Sequence, residues 1–475
     1  MSKILTPDIC VIGAGSGGLS VAAAAAAFGV DVVLVEKGKM GGDCLNYGCV
    51  PSKATIAAGK LAQSMREADK FGIKPVAPEI DFKKLHDHIH GVIAAIEPND
   101  SVERFTGLGV HVIQAMGVFA DEQTLIAGDH QIQARRFVLA TGSSAFVPPI
   151  PGLDTVPYLT NETLFENKKR IDHLIVIGGG PIGIEMAQAH RRLGAKVSVL
   201  EAQKVLGPAD PELAEVIIKR LNEEGVDILE GAKVTEVSKG AKNSIKVAYE
   251  KDGQSISLSG SHLLVATGRA VNVEGIGLDV AGVDFDRRGV KTSPDLRTTN
   301  KRIYAIGDAA GGLQFTHVAG YHAGLVLRGL LFRKKAVPNN EIMPWVTFTD
   351  PELGNVGLTE KEAREKYGDI QVLKWPYFEN DRAQAERKTE GLIKMIATKR
   401  GKIIGVGIAG ANAGEMINMW SFAITNKMKL GHVIGYVSPY PTMTEIGKRA
   451  ALLSYAPLAK KPFIRKLIAF LRKFG

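Results

Sequence analysis

The sequence contains the same glycine-rich unit twice. In each copy an apolar run leads into G-x-G-x-x-G, and a second apolar run follows and ends at a glutamate. One constant offset of 165 residues relates five positions of the two copies. The matching pairs are Gly13 and Gly178, Gly15 and Gly180, Gly18 and Gly183, Gly29 and Gly194, and Glu36 and Glu201. The chain is therefore predicted to hold two β-α-β units of the same construction.

Each unit has the features of a dinucleotide-binding turn. The first glycine permits a tight turn, the second lets the backbone approach a pyrophosphate, and the third lets the helix approach the strand. The N–H groups at the start of the helix can bind phosphate. Glu36 and Glu201 each follow the last glycine by 18 residues, where a carboxylate can accept hydrogen bonds from a ribose diol. The sequence therefore predicts that two dinucleotides bind to this chain.

The second unit favours NAD(H) over NADP(H). Glu201 would repel a 2′-phosphate, and Lys204 is the one cation close to it in the sequence. NADP(H) stays the alternative, because an arginine from another segment can fold into the site.

The net charge of +9 comes almost entirely from the end of the chain. Eight basic residues and no acidic one lie between Ile446 and Gly475, so the other 445 residues carry 51 basic and 50 acidic groups. A nearly neutral body does not favour nucleic-acid binding. The 475 residues are 45% hydrophobic and 23% charged, which predicts about three ordered domains.

Two of the three cysteines, Cys44 and Cys49, are five positions apart among glycines. Thiols at this spacing can close a small disulfide that is easy to reduce, and two inert core cysteines are the alternative. Three cysteines are too few for a secreted disulfide scaffold. A C-x₂-C pattern and two further ligands for zinc are missing, so no metal site is predicted. Cys10 lies inside the first apolar run and is predicted to be buried.

The motifs as a set resemble those of the FAD-dependent pyridine nucleotide–disulfide oxidoreductases, the family of dihydrolipoamide dehydrogenase, glutathione reductase and mercuric reductase. The resemblance extends to about residue 455. It rests on both glycine turns, GGDCLNYGCVPSK at 41–53, ATG at 140–142 and 266–268, YAIGDAA at 304–310 and WVTFTDPELGNVGLTE at 345–360.

The resemblance implies an α/β fold with two Rossmann-like dinucleotide-binding domains plus a C-terminal α+β interface (dimerisation) domain. The implied divisions are 1–150 for the first part of the FAD-binding domain, 151–270 for the NAD(H)-binding domain, 271–335 for the second part of the FAD-binding domain, 336–455 for the interface domain and 456–475 for a basic tail. The interface domain implies a homodimer.

The resemblance also implies roles for individual residues. Cys49 would lie against the flavin as the charge-transfer thiolate, and Cys44 would be the interchange thiol that meets the substrate. Lys53 and Glu185 would form an ion pair beside the flavin, and Ile182 would cover the flavin face where nicotinamide docks. The implied binding residues for FAD and NAD(H) are Gly13, Gly15, Gly18, Glu36, Lys53, Thr141, Gly142, Gly178, Gly180, Ile182, Gly183, Glu201, Gly268, Arg269, Gly307 and Asp308.

One motif departs from the disulfide-reducing members. They carry H-P-T-x-x-E near the C-terminus, and this chain has Tyr440 in place of the histidine while Glu445 is kept. A tyrosine with a pKa of about 10 is a poor proton acceptor near neutral pH. His432 is an unfavoured substitute. Mercuric reductases resemble this chain in having a tyrosine there, but they add a C-terminal cysteine pair, and no cysteine follows Cys49 here.

The resemblance and its departures together predict an enzyme similar to mercuric reductase. It would pass two electrons from NADH through FAD and the Cys44–Cys49 disulfide to a disulfide, metal-ion or quinone-type acceptor, either a small molecule or protein-bound. Dihydrolipoamide dehydrogenase is the first alternative. A redox-responsive flavoprotein that binds a membrane or a partner is an alternative of another class.

Residues 460–475 are predicted to form a basic amphipathic helix, with Pro462 in its first turn, apolar residues at helical spacing, six cations and no anions. Such a helix can lie on an anionic membrane surface, and docking on the protein itself or on a partner is the alternative. No segment has the length of a membrane span or the layout of a signal peptide. The sequence favours a cytoplasmic protein and leaves open its peripheral association with a membrane.

Overall fold

The computed structural model describes residues 3–474, except for the side chain of Ala459. The first unit is built on a five-stranded parallel sheet whose strands are nearly all apolar and buried, as expected for a sheet covered on both faces. Side chains alternate between the faces, so that Val11 packs towards helices and Cys10 packs towards a second sheet. In sheet order the strands are Ile303–Ala305, Arg136–Leu139, Ile9–Ile12, Val32–Glu36 and His111–Gln114.

Helices cover one face of this sheet and a smaller sheet covers the other. Helix Ser16–Ala27 follows the first glycine turn and packs against helix Thr316–Phe332. The smaller sheet has the strands Lys3–Leu5, His130–Ile132, Leu125–Ala127 and Gly117–Phe119 in that order. The other helices of this unit are Gly42–Asn46, Cys49–Arg66, Phe82–Ile96 and Val102–Gly107.

The second unit repeats the parallel arrangement with four strands. Helix Pro181–Arg192 follows its glycine turn, and helix Pro211–Glu223 follows the acidic end of the next strand. The strands in sheet order are Val226–Glu230, Lys196–Glu201, His173–Ile177 and His262–Val265. The unit also contains an antiparallel three-stranded sheet formed by Lys233–Lys239, Ile245–Lys251 and Gln254–Gly260.

The last large region is an antiparallel sheet with helices packed on it, around a core that includes Trp420 and Tyr377. Its strands in sheet order are Trp345–Thr347, Glu352–Gly357, Ile403–Gly410, Leu392–Thr398 and Ile370–Pro376. Its helices are Glu360–Tyr367, Asp381–Ala385, Ala413–Thr425, Leu430–Gly435 and Glu445–Leu452. Two parallel α/β units and an α+β region agree with the predicted fold class, and the residue boundaries between the domains stay a prediction.

A buried ion pair fixes the second unit to the last region. Arg192, at the end of helix Pro181–Arg192, donates to Asp350 over 2.9 Å and to Glu224 over 2.6 Å. Burial raises the pKa of Asp350, but Arg192 and Lys388 outweigh it and lower the pKa to about 2. The charged pair therefore holds the helix that carries Glu185 in a fixed position relative to the segment after Trp345–Thr347.

The tail begins with a short helix, Ala456–Ala459, and continues as helix Pro462–Leu471. Proline at the first helical position fits the predicted start. Leu467, Ile468 and Leu471 are exposed, so this face is uncovered by the rest of the part of the chain that the structure describes. Within residues 3–474, no helix is long and apolar enough to cross a membrane.

Candidate functional site

In both glycine turns, close backbone contacts leave no room for a side chain at the first and third glycines. A Cβ on Gly13 would lie 2.3 Å from the carbonyl oxygen of Ala140, and a Cβ on Gly178 would lie 2.3 Å from that of Ala266. Both residues also have left-handed backbone angles, with φ of +105° and +114°. A Cβ on Gly18 or on Gly183 would approach the carbonyl oxygen of the first glycine of its own turn to 1.9 Å or 2.1 Å.

The second glycine of each turn faces open space instead. No described atom lies within 4 Å of the Cβ position of Gly15 or of Gly180, and each residue caps the N-terminus of the next helix. A side chain here would fill the space in front of the helix N–H groups. The geometry therefore fits a pyrophosphate that approaches the backbone at the positive end of a helix dipole.

The acidic residue is attached to the turn in the same way in both units. Glu36 accepts hydrogen bonds from the backbone N–H of Ala14 and of Gly38, both at 2.6 Å. Glu201 accepts from Gly179 at 2.6 Å and from Gln203 at 2.8 Å. These donors obey the same offset of 165 residues, so the repeat seen in the sequence is also a repeat of hydrogen bonds.

Beside Glu201, the cation noted in the sequence already has a partner. Lys204 donates to Glu230 over 2.6 Å, and Glu230 also accepts from the backbone N–H of Val205 at 2.8 Å. A lysine held by a neighbouring carboxylate is a weaker ligand for a ribose 2′-phosphate. The geometry at this position therefore keeps the acidic character that suits a ribose diol.

A cavity of about 1570 Å³ begins at the first glycine turn and passes both cysteines. It brings together residues that are far apart in the sequence, from both nucleotide-binding units and from the last region. The predicted site residues in its lining are Gly13, Gly15, Glu36, Cys44, Cys49, Lys53, Thr141, Gly142, Ile182, Glu185, Arg269, Gly307 and Asp308. A cavity of this volume, lined both by a glycine turn that can bind phosphate and by two thiols, fits a dinucleotide such as FAD.

Cys44 and Cys49 are thiols in this structure and share a hydrogen bond. Cys49 is the first residue of helix Cys49–Arg66, and its sulfur lies 3.4 Å from the Oγ1 of Thr316. The hydrogen bond from Cys44, with smaller contributions from Thr316 and Lys53, lowers the pKa of Cys49 to about 6. The same hydrogen bond and burial raise the pKa of Cys44. Near neutral pH, Cys49 is therefore the thiolate and Cys44 the thiol.

Lys53 and Glu185 form an ion pair at the wall of this cavity, with Nζ and Oε2 3.0 Å apart. The other oxygen of Glu185 accepts from the backbone N–H of Phe348 at 2.8 Å, and the Lys53 ammonium lies 4.5 Å from the centre of the Phe348 ring. Glu185 is almost fully buried, whereas Lys53 is partly exposed to the cavity. The pair therefore places the positive charge of Lys53 near the thiolate, and Glu185 of the second unit holds the Lys53 side chain in that position.

Asp308 faces the cavity and accepts a hydrogen bond from the hydroxyl of Ser143 at 2.5 Å. Burial raises the pKa of Asp308. Arg269 donates to both the hydroxyl and the carbonyl oxygen of Ser143 at 2.7 Å and forms an ion pair with Asp43 at 3.2 Å. These contacts fix a carboxylate in the cavity lining, where it can accept hydrogen bonds from cofactor hydroxyl groups.

Tyr440 and Glu445 lie outside this cavity in their own chain. Tyr440 is 69% exposed, and its hydroxyl donates to Asp381 at 2.9 Å. This hydrogen bond raises the pKa of Tyr440. His432 is exposed and accepts from the backbone N–H of Lys429, which is a local capping contact. The lining also leaves out Gly18, Gly178, Gly180, Gly183, Glu201 and Gly268, although Ile182 beside the second turn belongs to it.

Four contributors to the site were missed in the sequence: Thr316 beside Cys49, Ser143 beside Asp308, Asp43 beside Arg269, and Phe348 beside Lys53. Asp43, Ser143 and Phe348 lie inside or next to the family motifs, so their position in the sequence could have indicated that they belong to the site. Thr316 follows YAIGDAA by six residues and carries no motif of its own.

Comparison with known proteins agrees with this geometry. Residues 7–323 match the family model described as pyridine nucleotide-disulphide oxidoreductase, and residues 343–451 match the dimerisation domain of the same family. The chain belongs to this family. The resemblance seen in the motifs and the predicted fold class are thereby confirmed. The family consists of oxidoreductases that depend on FAD and NAD(P), and the chain carries its dimerisation domain.

The relatives include two kinds of enzyme. A mercuric reductase of Bacillus cereus is 35% identical over 451 residues, which cover 94% of this chain and 71% of that protein. A dihydrolipoyl dehydrogenase of Geobacillus stearothermophilus is 33% identical over 456 residues, covering 94% and 95%. Among solved structures, the HOCl-induced flavoprotein disulfide reductase RclA of Escherichia coli aligns with a TM-score of 0.85 at 28% identity, covering 94% and 99%.

Proposed function

We propose that this protein oxidises NADH and passes two electrons through FAD and the Cys44–Cys49 pair to a thiophilic metal ion, as a mercuric reductase-like enzyme. The observation that carries this proposal is the position of Cys44 and Cys49 in one cavity with the Lys53–Glu185 ion pair, where the hydroxyl of Thr316 lies 3.4 Å from the Cys49 sulfur. When bound, FAD supplies two-electron transfer between a nicotinamide and a disulfide. Residues of the chain stabilise the thiolate and bind the acceptor.

Lys53 and the N-terminus of helix Cys49–Arg66 stabilise the negative charge on Cys49. Cys44 is the thiol that contacts the acceptor. Binding of a divalent ion such as Hg(II) displaces the thiol proton of Cys44 to solvent, so that both sulfurs coordinate the ion as thiolates. The two metal–sulfur bonds then break, one sulfur–sulfur bond forms, and the two electrons released reduce the ion. Soft thiolate ligands suit such ions. The disulfide is then ready for the next two electrons.

The surroundings of Tyr440 favour a metal ion over a dithiol or disulfide substrate. Reducing a disulfide requires proton delivery to a leaving thiol, and oxidising dihydrolipoamide requires a base. A tyrosine with a raised pKa that donates to Asp381 is a poor base. Reduction of Hg(II) delivers no proton to a leaving thiol, and the bound ion itself acidifies the Cys44 thiol, so that solvent can take up its proton. Dihydrolipoamide dehydrogenation is the second candidate, and its support is the 33% identical relative that covers nearly the whole chain.

The deciding experiment is steady-state NADH oxidation with lipoamide, glutathione disulfide, Hg(II), Cu(II) and a quinone. We expect Hg(II) or Cu(II) to be reduced fastest. Ready oxidation of dihydrolipoamide in the reverse direction would instead support the second candidate.

The matched variants are Cys44→Ser and Cys10→Ala. Cys44→Ser should lower acceptor reduction by at least about 100-fold while NADH still bleaches the flavin absorbance. Cys10 is buried in a strand away from the cavity, so Cys10→Ala should retain turnover. Unchanged turnover in Cys44→Ser would favour the other class of function, a flavoprotein whose redox state controls binding.

We also propose that the working unit is a homodimer. Tyr440 and Glu445 lie outside the cavity of their own chain, yet they stand at the positions of the family motif that closes the active site of the partner subunit. Light scattering coupled to size exclusion should give twice the 50.8 kDa mass of one chain. A monomeric mass with full activity would contradict this assembly.

A further part of the proposal concerns the tail. Helix Pro462–Leu471 exposes its apolar face, and residues 460–475 carry six cations and no anions, which suits an anionic membrane surface. The full chain should co-sediment with vesicles that contain anionic lipid, whereas a form lacking residues 460–475 should stay in the supernatant. Ile468→Ser keeps all six cations and should weaken sedimentation through the apolar contact alone. Equal sedimentation of full and truncated forms would count against membrane association.

A further inference from the structure

A cluster of three side chains with metal-ligating atoms lies outside the cavity, between helix Phe82–Ile96 and the turn Leu164–Glu166. His86 and His90 are one helical turn apart on the same face, with ring centres 4.1 Å apart. Glu166 reaches them from the turn. One potential ligand atom from each residue lies within 4.8 Å of the others.

The separations between these atoms suit ligands that share an ion better than they suit hydrogen bonds. Nε2 of His86 lies 3.8 Å from one oxygen of Glu166, and Nε2 of His90 lies 3.6 Å from the other. Both distances exceed those of a hydrogen bond. Two ligands of a tetrahedral zinc ion are about 3.4 Å apart, because each stands about 2.0–2.2 Å from the metal. A small inward movement of the Glu166 side chain would therefore complete the arrangement.

His86 supplies an independent observation. Its side chain is 10% exposed, and within residues 3–474 its Nε2 finds no hydrogen-bond partner. A buried polar atom without a partner is unfavourable unless a ligand satisfies it. Its other ring nitrogen, Nδ1, lies 3.5 Å from the carboxylate of Asp87. At this distance the carboxylate is at the long limit for a hydrogen bond, so the unpartnered Nε2 is the observation that points to a ligand.

His90 has one competing contact. Its Nε2 lies 3.4 Å from the carbonyl oxygen of Phe165, a distance at the long limit for a hydrogen bond. An ion at the cluster would replace this weak contact with a coordinate bond.

We propose that His86, His90 and Glu166 bind a divalent transition-metal ion of the zinc class. Two imidazoles and one carboxylate suit zinc and its neighbours, whereas magnesium prefers a shell of oxygen ligands. This site was not predicted from the sequence, because its ligands come from a helix and from a turn about 80 residues later and form no local motif. The ion would connect helix Phe82–Ile96 to the turn whose Leu164 and Phe165 line the cavity.

Calorimetric titration with Zn²⁺ tests this proposal on the tag-free, FAD-loaded enzyme. The enzyme is first oxidised, so that Cys44 and Cys49 form a disulfide and offer no thiolate to the metal. We expect one Zn²⁺ per chain and no binding of Mg²⁺ under the same conditions. Bound zinc should also raise the unfolding temperature, because it binds the folded state.

The variants separate this cluster from other zinc ligands. His90→Ala and Glu166→Gln should each weaken Zn²⁺ binding at least about tenfold. His88→Ala is the matched control, since His88 is exposed on the same helix, two residues from each of the two proposed histidine ligands. This variant should bind Zn²⁺ like the unmodified protein. Glu166 is more than half exposed, so its variant should fold even if replacement of a histidine disturbs the helix.

Two results would overturn the proposal. The first is the absence of stoichiometric Zn²⁺ binding by the oxidised enzyme. The second is binding that is equal in the unmodified protein, His90→Ala and Glu166→Gln, which would place the ion elsewhere.

Discussion

The two nucleotide-binding units share a turn and differ in the residues that come after it. The first and third glycines of both turns lie close to backbone carbonyl oxygens, and Glu36 and Glu201 accept hydrogen bonds from equivalent backbone donors. At the same offset of 165, however, the first unit has Cys44, Cys49 and Lys53 where the second unit has Ala209, Ala214 and Ile218. We therefore expect dinucleotide binding to depend on the shared turn, and the proposed redox chemistry to depend on a few residues that one copy carries after it.

The largest expected effects come from breaking the shared turn in one unit at a time. Gly13→Val places side-chain atoms against the carbonyl oxygen of Ala140, and Gly178→Val does the same at Ala266. We expect Gly13→Val to be isolated without flavin. Gly178→Val should retain flavin and lose at least about 100-fold in NADH oxidation, because we assign its turn to the nicotinamide nucleotide.

Flavin absorbance of the purified proteins and stopped-flow reduction by NADH check this prediction. Gly91→Ala is a matched control in a helix, with no described atom within 4 Å of the new Cβ. Loss of flavin from both glycine variants would mean that the two turns do not bind separate nucleotides.

The next effect concerns nucleotide choice, at the equivalent acidic residues. Glu201→Arg replaces a carboxylate that repels a 2′-phosphate with a cation, so the ratio of kcat/KM for NADPH to that for NADH should rise at least about tenfold. Glu36→Arg should leave this ratio unchanged and weaken FAD binding. Glu230→Gln frees Lys204 from its ion pair and should raise the ratio slightly. A native preference for NADPH would contradict the assignment of NADH.

A smaller effect is expected on the thiolate that only the first unit carries. With a pKa of about 6, Cys49 gains thiolate as the pH rises through 6 and loses it below. Thr316→Ala removes a hydrogen bond to the thiolate and should move this midpoint upward by about half to one pH unit. Thr316→Ser should restore it. The midpoint is measured from alkylation rates of the reduced enzyme between about pH 4 and pH 9, in steps of about half a pH unit. An unchanged midpoint in Thr316→Ala would show that Thr316 does not stabilise the thiolate.

The smallest effect should come from Tyr440, which belongs to neither unit. Because its pKa is raised, Tyr440 stays protonated across the working pH range and accepts no proton. Tyr440→Phe should therefore change metal-ion reduction by less than about threefold. Tyr440→His should increase dihydrolipoamide oxidation, which can be followed by NADH formation. A large loss in Tyr440→Phe with Hg(II) would show that the hydroxyl takes part in the reaction.

Features with a short sequence signature were the ones that could be predicted. Both turns, their acidic residues and the start of the tail helix at Pro462 follow from local spacing, and the structure has them where the sequence indicated. The contact between Cys49 and Thr316 joins residues 267 positions apart, and the cluster of His86, His90 and Glu166 depends on how a helix docks on a turn. Such contacts are products of tertiary packing and leave no periodic pattern.

The place of strand Ile303–Ala305 has a consequence for the order in which the protein forms. This strand pairs with Arg136–Leu139 and completes the first sheet only after the whole second unit has been synthesised. Until then, the growing chain leaves an apolar strand edge of the first sheet open to unwanted pairing. The second unit, whose strands all lie between His173 and Val265, has its full set of partners earlier on the ribosome. Of the two units, we therefore expect the first to be the more prone to aggregation during synthesis.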